Sequence, residues 1–431
     1  LIGIGRAEEA EECVRKALKL DNKISSAHFN LALKLYIDGD YENSEKYLLN
    51  SIEIDPKSSD AYYQLGLIYL TKGQLKESEI SFNKSIALNK DLTNAYYQLS
   101  NLKTILKKNA WEEYLFSDDI IKTKSKEDLI NLYFARANIK HKNKDYISSM
   151  NFLKLANNAK LEILPSDLKS FIKKSTLLKQ ETSKSRPISR DPFEELRHIF
   201  IVGMFRSGST LLESILTMNN KITHLGEINT LEESFLEWKY KKINNENLKL
   251  GEIYNHNLKK YNFKNLITTN KNLYNFRYSG IISEQVSNSK IIHCIRNPLD
   301  NILSIYRNHF TTSSNFSSSI EDCAYAYLNH IEIMSEYKIK YPSFIYNLDY
   351  DLVVTNPDKE IRSLISWLGL RWDDNYLFPH LNKRAVKTAS NVQIRSPINA
   401  KSLGGWRNYI NLLQPAIKIL KKTERYKDIQ F

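Results

Sequence analysis

The sequence predicts an α-helical repeat domain, an α-solenoid, followed by a P-loop-like three-layer α/β domain with a mostly parallel sheet. Two observations predict this architecture. A 34-residue pattern recurs through the first part of the chain, and repeats of that length stack into solenoids. From Ile199 onward, apolar strand candidates alternate with helical stretches, which is typical of parallel sheets that bind ligands at the carboxyl ends of their strands.

Three sets of residues keep the 34-residue period: Ala27, Ala61 and Ala95; Leu31, Leu65 and Leu99; Gly39 and Gly73. A helix–turn–helix unit of this length with small residues at the helix contacts is the tetratricopeptide signature. A degenerate copy is expected at residues 132–160, and a polar, proline-bearing stretch follows it. We therefore expect a repeat domain at residues 1–164, a linker at 165–195 and the α/β domain at 196–431.

Composition narrows the classes of partner. The net charge of +13 favours acidic or phosphorylated ligands, but the basic residues form no dense arm, so we expect no nucleic acid partner. Three cysteines lie far apart, which fits a reducing compartment. No apolar run reaches the roughly 18 to 20 residues of a membrane span, no secretory leader is expected, and no histidine stands at metal-ligand spacing. These features predict a soluble cytoplasmic protein without a metal.

The stretch "IFIVGMFRSGSTLLESIL" reads as a buried strand, a glycine-bearing turn and a helix, an arrangement that binds anions at the helix N-terminus. The common nucleotide loop of this kind needs a lysine where this chain has Ser209. Instead, the turn carries one cation, one glycine and three side-chain hydroxyls. These residues are Arg206, Ser207, Gly208, Ser209 and Thr210. We expect these residues to hold an anion; a capped turn that binds nothing is the weaker alternative, because four polar donors and an arginine stand in an otherwise apolar stretch.

A second element, "SKIIHCIRNPLDNILS", places Arg296 at the end of a strand and Ser304 two turns into the following helix. Asn297 is suited to cap that helix, and Pro298 to its first turn. Arg296 and Ser304 can together hold a second phosphate. A surface arginine before an ordinary helix explains this element equally well.

Together, these two elements resemble a known family. "GMFRSGST" resembles the 5'-phosphosulfate loop of sulfotransferases, and "RNPLDNILS" resembles their 3'-phosphate motif. Four further stretches, "LGEI", "TNKN", "YDLVVTNP" and "VQIRSPINAKSLGGW", are similar, in order, to bacterial tetratricopeptide-repeat sulfotransferases, whose catalytic domain is related to protein-tyrosine sulfotransferases. The resemblance extends over nearly the whole chain and is weakest at residues 231–263.

The resemblance implies 3'-phosphoadenosine 5'-phosphosulfate (PAPS) as the sulfuryl donor. It assigns the 5'-phosphosulfate to residues 206–210, the 3'-phosphate to Arg296 and Ser304, and the adenosine to Tyr350. Residues of the later loop are expected to close over the cofactor: Arg395 or Lys401 as added charge, with Ser402, Gly404 and Trp406. Two departures from the family pattern are Phe205, where a proline is usual, and Asn270, where an aspartate is common.

The resemblance also implies the catalytic roles. Transfer is an in-line displacement in which Lys271 neutralises the departing oxygen and Arg206 stabilises the sulfuryl oxygens. Glu227 would be the base that takes the acceptor's proton; without the resemblance, a carboxylate at a helix N-terminus would be the better reading. The expected acceptor is a tyrosine of a protein or peptide, recruited by the repeats, with a carbohydrate or small phenol still open. The sequence is compatible with a homodimer.

Two other functions compete with this one. A P-loop-like nucleotide kinase or NTPase is disfavoured by Ser209 and by the lack of a magnesium-binding aspartate after "KIIHCI". A non-catalytic repeat scaffold with a relic nucleotide-binding domain is disfavoured because Arg206, Glu227 and Lys271 are all intact, as are Arg296 and Ser304.

Overall fold

The computed structural model describes residues 7–102, 110–184, 195–243, 248–261, 265, 267–310 and 314–428. The chain divides into two compact units. The repeat unit contains residues up to Ile163 together with Lys383–Gln393, and the sheet unit contains Leu164–Asn382 and Ile394–Phe431.

The repeat unit is built from nine described helices: α1 (Ala7–Leu20), α2 (Ser25–Asp38), α3 (Tyr41–Ile54), α4 (Ser59–Lys72), α5 (Leu75–Leu88), α6 (Thr93–Asn101), α7 (Ala110–Leu115), α8 (Lys126–Lys142) and α9 (Tyr146–Ile163). Gly39 and Gly73 end α2 and α4 with φ of 86° and 82°, the left-handed region that glycine adopts without strain. The predicted helical solenoid is therefore confirmed.

Small residues allow the paired helices to approach closely. A Cβ on Gly66 would lie 2.6 Å from the ring of Phe82, so α4 and α5 meet in van der Waals contact at that position. Ser44 Oγ also donates to the carbonyl of Ala32 at 2.6 Å, and Ser78 Oγ donates to that of Gly66 at 2.8 Å. The two serines are one repeat length apart, so the same buried hydrogen bond joins the two helices within each of these two repeats.

A segment from the other end of the sequence completes the repeat unit. Val386 is 2% exposed, and its backbone N–H donates to the carbonyl of Thr71 at 2.9 Å. The ammonium of Lys387 lies 4.4 Å from the ring centroid of Tyr36. We name residues 383–393 the strap, because the chain leaves the sheet unit before it and returns after it.

The sheet unit contains five strands and ten described α-helices, here in chain order: α10 (Leu168–Lys184), β1 (His198–Gly203), α11 (Ser209–Leu216), β2 (Ile222–His224), α12 (Thr230–Lys242), α13 (Leu250–Leu258), β3 (Ile267–Asn270), α14 (Ser279–Gln285), β4 (Ser289–Ile295), α15 (Pro298–Tyr306), α16 (Ile320–Lys340), β5 (Ile345–Asp349), α17 (Tyr350–Thr355), α18 (Pro357–Trp367) and α19 (Ile410–Leu420). The strand order is β2-β3-β1-β4-β5 and every pairing is parallel. The predicted parallel sheet is confirmed.

Alternating side chains of the central strands bury both faces of the sheet. Ile199 and Ile201 of β1 join an apolar cluster with α11 and α18, whereas Phe200 lies against the ring of Tyr254, with centroids 5.5 Å apart. All six residues of β1 are buried, as expected for a strand covered by helices on both faces. This arrangement leaves the carboxyl ends of the strands as the open edge.

The boundary between the units differs from the expected linker at 165–195. Residues 168–184 form α10, which packs within the sheet unit through Thr182 Oγ1 and Tyr337 Oη, 3.2 Å apart. Residues 185–194 lie outside the described part of the chain. The polar composition reflects a helix with one exposed face rather than an extended connection.

Candidate functional site

The loop between β1 and α11 has a geometry that needs glycine at two positions. A Cβ on Gly203 would lie 2.7 Å from the carbonyl oxygen of Cys294, and a Cβ on Gly208 would lie 2.3 Å from the ring of Tyr350. Arg206 also has a positive φ, of 65°. The loop is therefore held close to β4 and α17, with α11 beginning directly after it at Ser209.

Within this loop, Ser207 has an unsatisfied polar atom. The residue is 2% exposed, and its Oγ has no hydrogen-bond partner in the described structure. Ser209 and Thr210 are each 5% exposed in the first turn of α11. A buried hydroxyl without a partner is unfavourable unless a ligand satisfies it, so the loop fits the anion that the sequence predicted.

The second motif lies beside the first because β1 and β4 are neighbours, with Gly203 opposite Cys294. Arg206 Nε donates to Ser304 Oγ at 3.1 Å, and Arg296 Nη1 donates to the carbonyl of Arg206 at 3.0 Å. Arg296 Nε is buried without a partner, and no carboxylate of a described residue pairs with this guanidinium within 4.0 Å. The two predicted phosphate motifs thus meet in one place, around an arginine that no described carboxylate pairs within 4.0 Å.

Tyr350 and Ser402 cover this arginine. The guanidinium carbon of Arg296 lies 4.8 Å from the ring centroid of Tyr350, and Arg296 Nη2 donates to the carbonyl of Ser402 at 2.9 Å. The hydroxyls of Tyr350 and Ser402 are 2.8 Å apart. The structure therefore brings Tyr350 and Ser402 to the predicted 3'-phosphate site.

Asp300, which was not predicted as a site residue, holds the loop of residues 402–406 in place. Its two carboxylate oxygens accept the backbone N–H groups of Gly404 at 2.7 Å and Trp406 at 2.9 Å, and the residue is 4% exposed. Asn301 on the same helix donates to the carbonyl of Phe205 at 2.9 Å. The buried carboxylate of Asp300 thus adds to the Arg296–Ser402 hydrogen bond in connecting "RNPLDN" to "SLGGW".

Glu227 and Lys271 form an ion pair, with 2.6 Å between Oε1 and Nζ. The Lys271 side chain is 1% exposed, whereas that of Glu227 is 51% exposed. The two chain segments are also joined through their backbones, because Lys271 N donates to the carbonyl of Gly226, the residue before Glu227, at 2.8 Å. The pair therefore presents an accessible carboxylate in front of a buried ammonium.

Arg395 and Lys401 occupy less central positions than the other predicted site residues. Arg395 Nη1 donates to the carbonyl of Asn382 at 2.7 Å, which closes the base of the strap. Lys401 has an exposed side chain, and its backbone N–H donates to Asn399 Oδ1 at 3.2 Å. These contacts support a loop-closing role for Arg395, and they do not place either residue against a phosphate motif.

The two departures from the family pattern have packing explanations. The ring of Phe205 lies 5.2 Å from that of Tyr274 and 5.3 Å from that of Phe310. Asn270 Nδ2 donates to Tyr254 Oη at 3.2 Å, and its Oδ1 accepts the N–H of Asn272 at 3.0 Å. Both residues support the loops that carry the site.

Two other ionisable groups border the site. Burial raises the pKa of Cys294 to about 12, so its thiol stays protonated and is no nucleophile near neutral pH. Burial, reinforced by the negative charge of Asp349, raises the pKa of Asp351, which accepts the N–H of Asn297 at 3.2 Å.

Across the described residues, no group of histidine, cysteine and carboxylate side chains is arranged to hold a metal ion.

The comparisons with known proteins agree with this architecture. Residues 198–374 match the sulfotransferase family, and residues 1–24, 25–58 and 47–79 match tetratricopeptide repeats. The chain therefore combines tetratricopeptide repeats with a sulfotransferase-family domain, which confirms the resemblance drawn from the motifs. In the part that the structure describes, no helix is long and apolar enough to cross a membrane.

A relative from Aquifex aeolicus, described as an uncharacterized protein, is 30% identical over 246 residues, which are 52% of this chain. The match spans about a third of the relative's length (32%). Among solved structures, the sulfotransferase domain of the Synechococcus PCC 7002 olefin synthase is 16% identical, with coverage of 53% of this chain and 97% of that one and a TM-score of 0.38. Mouse sulfotransferase SULT7A1 complexed with PAP is 17% identical, with 58% and 90% coverage and a TM-score of 0.34.

Proposed function

We propose that this protein is a PAPS-dependent sulfotransferase that moves a sulfuryl group to the hydroxyl of a tyrosine in a protein or peptide. The single observation that carries the proposal is the meeting of two phosphate motifs around Arg296. Its guanidinium bonds to backbone carbonyls, its Nε is buried without a partner, and no described carboxylate pairs with it within 4.0 Å. This arrangement suits a second phosphate on the nucleotide.

The residues present fit this donor. The unpartnered Ser207 Oγ and Arg296 Nε are buried polar atoms that a ligand would satisfy. In this proposal the loop of residues 206–210 binds the 5'-phosphosulfate, Arg296 and Ser304 bind the 3'-phosphate, and Tyr350 lies against the adenosine. PAPS supplies the sulfuryl group, and no metal is needed because side-chain cations provide the positive charge.

The chain's own groups then have distinct tasks. Glu227 accepts the proton of the acceptor hydroxyl, since its carboxylate is half exposed and reachable. Lys271 turns its ammonium to the oxygen that gains negative charge when the sulfuryl group leaves. Arg206, held by Ser304 at 3.1 Å, is positioned to stabilise the sulfuryl oxygens.

We also propose that the repeat unit recruits the protein that carries the acceptor. Tetratricopeptide solenoids present extended concave surfaces to their ligands, which supports this role. All three cysteines, Cys13, Cys294 and Cys323, are free thiols, and this supports action in a reducing compartment such as the cytoplasm.

The test is nucleotide selectivity, measured by calorimetry with 3'-phosphoadenosine 5'-phosphate (PAP) and 5'-AMP. The parent protein should prefer PAP, and Arg296→Ala should lose about 1.5 to 3 kcal/mol of PAP binding with little change for AMP. Arg371→Ala, which removes an exposed arginine of the same unit, is the matched control. Equal affinity of the parent for both nucleotides would show that Arg296 and Ser304 do not read a 3'-phosphate.

A further inference from the structure

The peptide bond between Arg296 and Asn297 lies where β4 ends and α15 begins. Ile295 is the last residue of β4 and pairs with Asp349 of β5, whereas Pro298 is the first residue of α15. The carbonyl of Arg296 and the N–H of Asn297 therefore lie between the sheet ladder and the helix. Backbone polar groups outside the regular elements need partners elsewhere, so their partners show what holds this arginine in place.

Side chains from two other helices bind both polar groups of this peptide bond. Tyr327 Oη of α16 donates to the carbonyl of Arg296 at 3.1 Å, and Asn297 N donates to Asp351 Oδ2 of α17 at 3.2 Å. The C=O and N–H of a trans peptide point in opposite directions, so the two side chains hold the peptide plane from both sides. We name Tyr327 and Asp351 the clamp.

Tyr327 is itself held by the C-terminal part of the chain. It is 3% exposed, and burial raises its pKa well above the usual range of a phenol, so its hydroxyl stays protonated and remains a donor. Tyr426 Oη donates to Tyr327 Oη at 3.4 Å. Tyr426 follows α19 and lies outside residues 198–374, which match the sulfotransferase family. The support of the clamp thus extends beyond the matched segment.

The direction of the Arg296 side chain depends on this peptide plane, because a rotation of the plane turns the bonds at the arginine Cα. The guanidinium donates to the carbonyls of Arg206 at 3.0 Å and Ser402 at 2.9 Å, and its Nε is buried without a partner. A planar fork recognises an anion only in a defined orientation. A fixed backbone at Arg296 therefore prepares its side chain for a phosphate.

We propose that Tyr327 and Asp351 are positioning residues that set the orientation of Arg296 toward the 3'-phosphate of the nucleotide. Each acts through the backbone on either side of one peptide bond and needs no contact with the nucleotide. The inference rests on the proposed function, because it explains how Arg296 is held to read that phosphate. It goes beyond the motif "RNPLDNILS", which contains neither residue of the clamp.

Calorimetry with PAP and 5'-AMP tests the phenol of the clamp. Tyr327→Phe removes the donor and keeps the ring, so PAP affinity should fall about fivefold, the scale of a neutral hydrogen bond, while 5'-AMP affinity stays within about twofold. Tyr325→Phe is the matched control, because this tyrosine of the same helix is 44% exposed, and it should change neither affinity. An equal loss for both nucleotides, or no loss for either, overturns the role of Tyr327.

The same substitution in an Arg296→Ala background shows whether Tyr327 acts through the arginine. There, Tyr327→Phe should cause no further loss of PAP affinity, because the side chain that it orients is absent and the two effects are coupled. If the loss persists at its full size in this background, Tyr327 acts elsewhere and the proposal is wrong.

The carboxylate of the clamp is tested independently, which also provides a result if Tyr327→Phe does not fold. Asp351→Asn keeps an acceptor for Asn297 N and Asp351→Ala does not, while both remove the charge. The asparagine variant should bind PAP at least about threefold more tightly than the alanine variant, with equal 5'-AMP affinities. Equal PAP affinities of the two variants overturn the role of Asp351.

The parent protein separates this inference from the proposed function. If the parent prefers PAP to 5'-AMP and all clamp variants keep that preference unchanged, the clamp fails and the 3'-phosphate role of Arg296 stands. If the parent binds both nucleotides equally, that role and this inference fail together.

Discussion

Glu227→Gln should change catalysis and nucleotide binding in opposite directions. In the structure, the buried ammonium of Lys271 bonds to Glu227 at 2.6 Å. A nucleotide that binds Lys271, as we propose, must therefore compete with this carboxylate for the same cation. Glutamine keeps a hydrogen-bond acceptor but carries no charge and takes no proton. We therefore expect slower turnover together with tighter PAP binding.

The magnitudes follow from the two roles. A hydrogen bond to a charged group contributes about 1.5 to 3 kcal/mol and a neutral one about 0.5 to 1.5, so the competition weakens by about 1 kcal/mol and PAP should bind about fivefold more tightly. Loss of a general base should slow single-turnover transfer by about 10²- to 10⁴-fold. Because an ordinary phenol has a pKa of about 10, an acceptor phenol of lower pKa should recover part of the rate.

The assays are calorimetry with PAP and single-turnover transfer to a phenolic acceptor. Glu233→Gln is the matched control, since Glu233 pairs with Lys260 at 3.0 Å and both side chains are about half exposed. Lys271→Ala should slow transfer and weaken PAP binding together. A Glu227→Gln variant that transfers at the parental rate to every acceptor would refute the base; one that binds PAP more weakly would refute the competition for Lys271.

Two further predictions concern the loop and the core. Gly208→Ala should abolish PAP binding in calorimetry because its Cβ would lie 2.3 Å from Tyr350, whereas Gly226→Ala, also at positive φ but with open space, should retain it; equal losses would contradict the close-approach argument. His293 and His330 face each other with 3.0 Å between their Nε2 atoms, and burial lowers the pKa of His293 to about 4. Since the unfolded histidine binds a proton near pH 6.5, His293 alone should lower the free energy of unfolding by about 3 kcal/mol as pH drops from 6.5 to 4. Its contribution to stability is fully present above pH 6.5. Urea unfolding of parent and His293→Gln at pH 7 and pH 5 measures this slope, and an identical slope in the variant would contradict it.

The sequence predicted the parts of the fold that leave a local signal. The 34-residue period located the repeats because the same small residues recur at the helix contacts. Four apolar runs of the sequence, "HIFIVG", "NLITTN", "KIIHCI" and "SFIYNL", predicted β1, β3, β4 and β5. Strand β2 (Ile222–His224) is too short to produce such a run. The packing of the strap on the repeat unit and of α10 in the sheet unit was not predicted. Which part of the fold a segment packs against leaves no periodic pattern in that segment's own sequence.

The candidate site likewise contains residues that the sequence predicted and one that it did not. The family resemblance assigned Arg206 and Arg296 to one nucleotide, and in the structure the two residues meet, with Arg206 O accepting Arg296 Nη1 at 3.0 Å. Asp300 was missed because it accepts backbone N–H groups of Gly404 and Trp406, more than a hundred residues later. Such contacts depend on tertiary structure and not on a motif, although a carboxylate in a buried first turn is a usable signal.

Transfer of a labelled sulfuryl group from PAPS to a tyrosyl peptide tests the central claim most directly, with glycans and small phenols as parallel acceptors. The account predicts labelled sulfotyrosine from the parent protein, insensitivity to magnesium chelation, and loss of label with Arg206→Ala, whose side chain bonds to Ser304 at 3.1 Å. Label on a glycan alone would contradict the tyrosine acceptor and leave sulfuryl transfer standing. Absence of label on every acceptor, or magnesium-dependent transfer of phosphate from ATP, would contradict the sulfotransferase function itself.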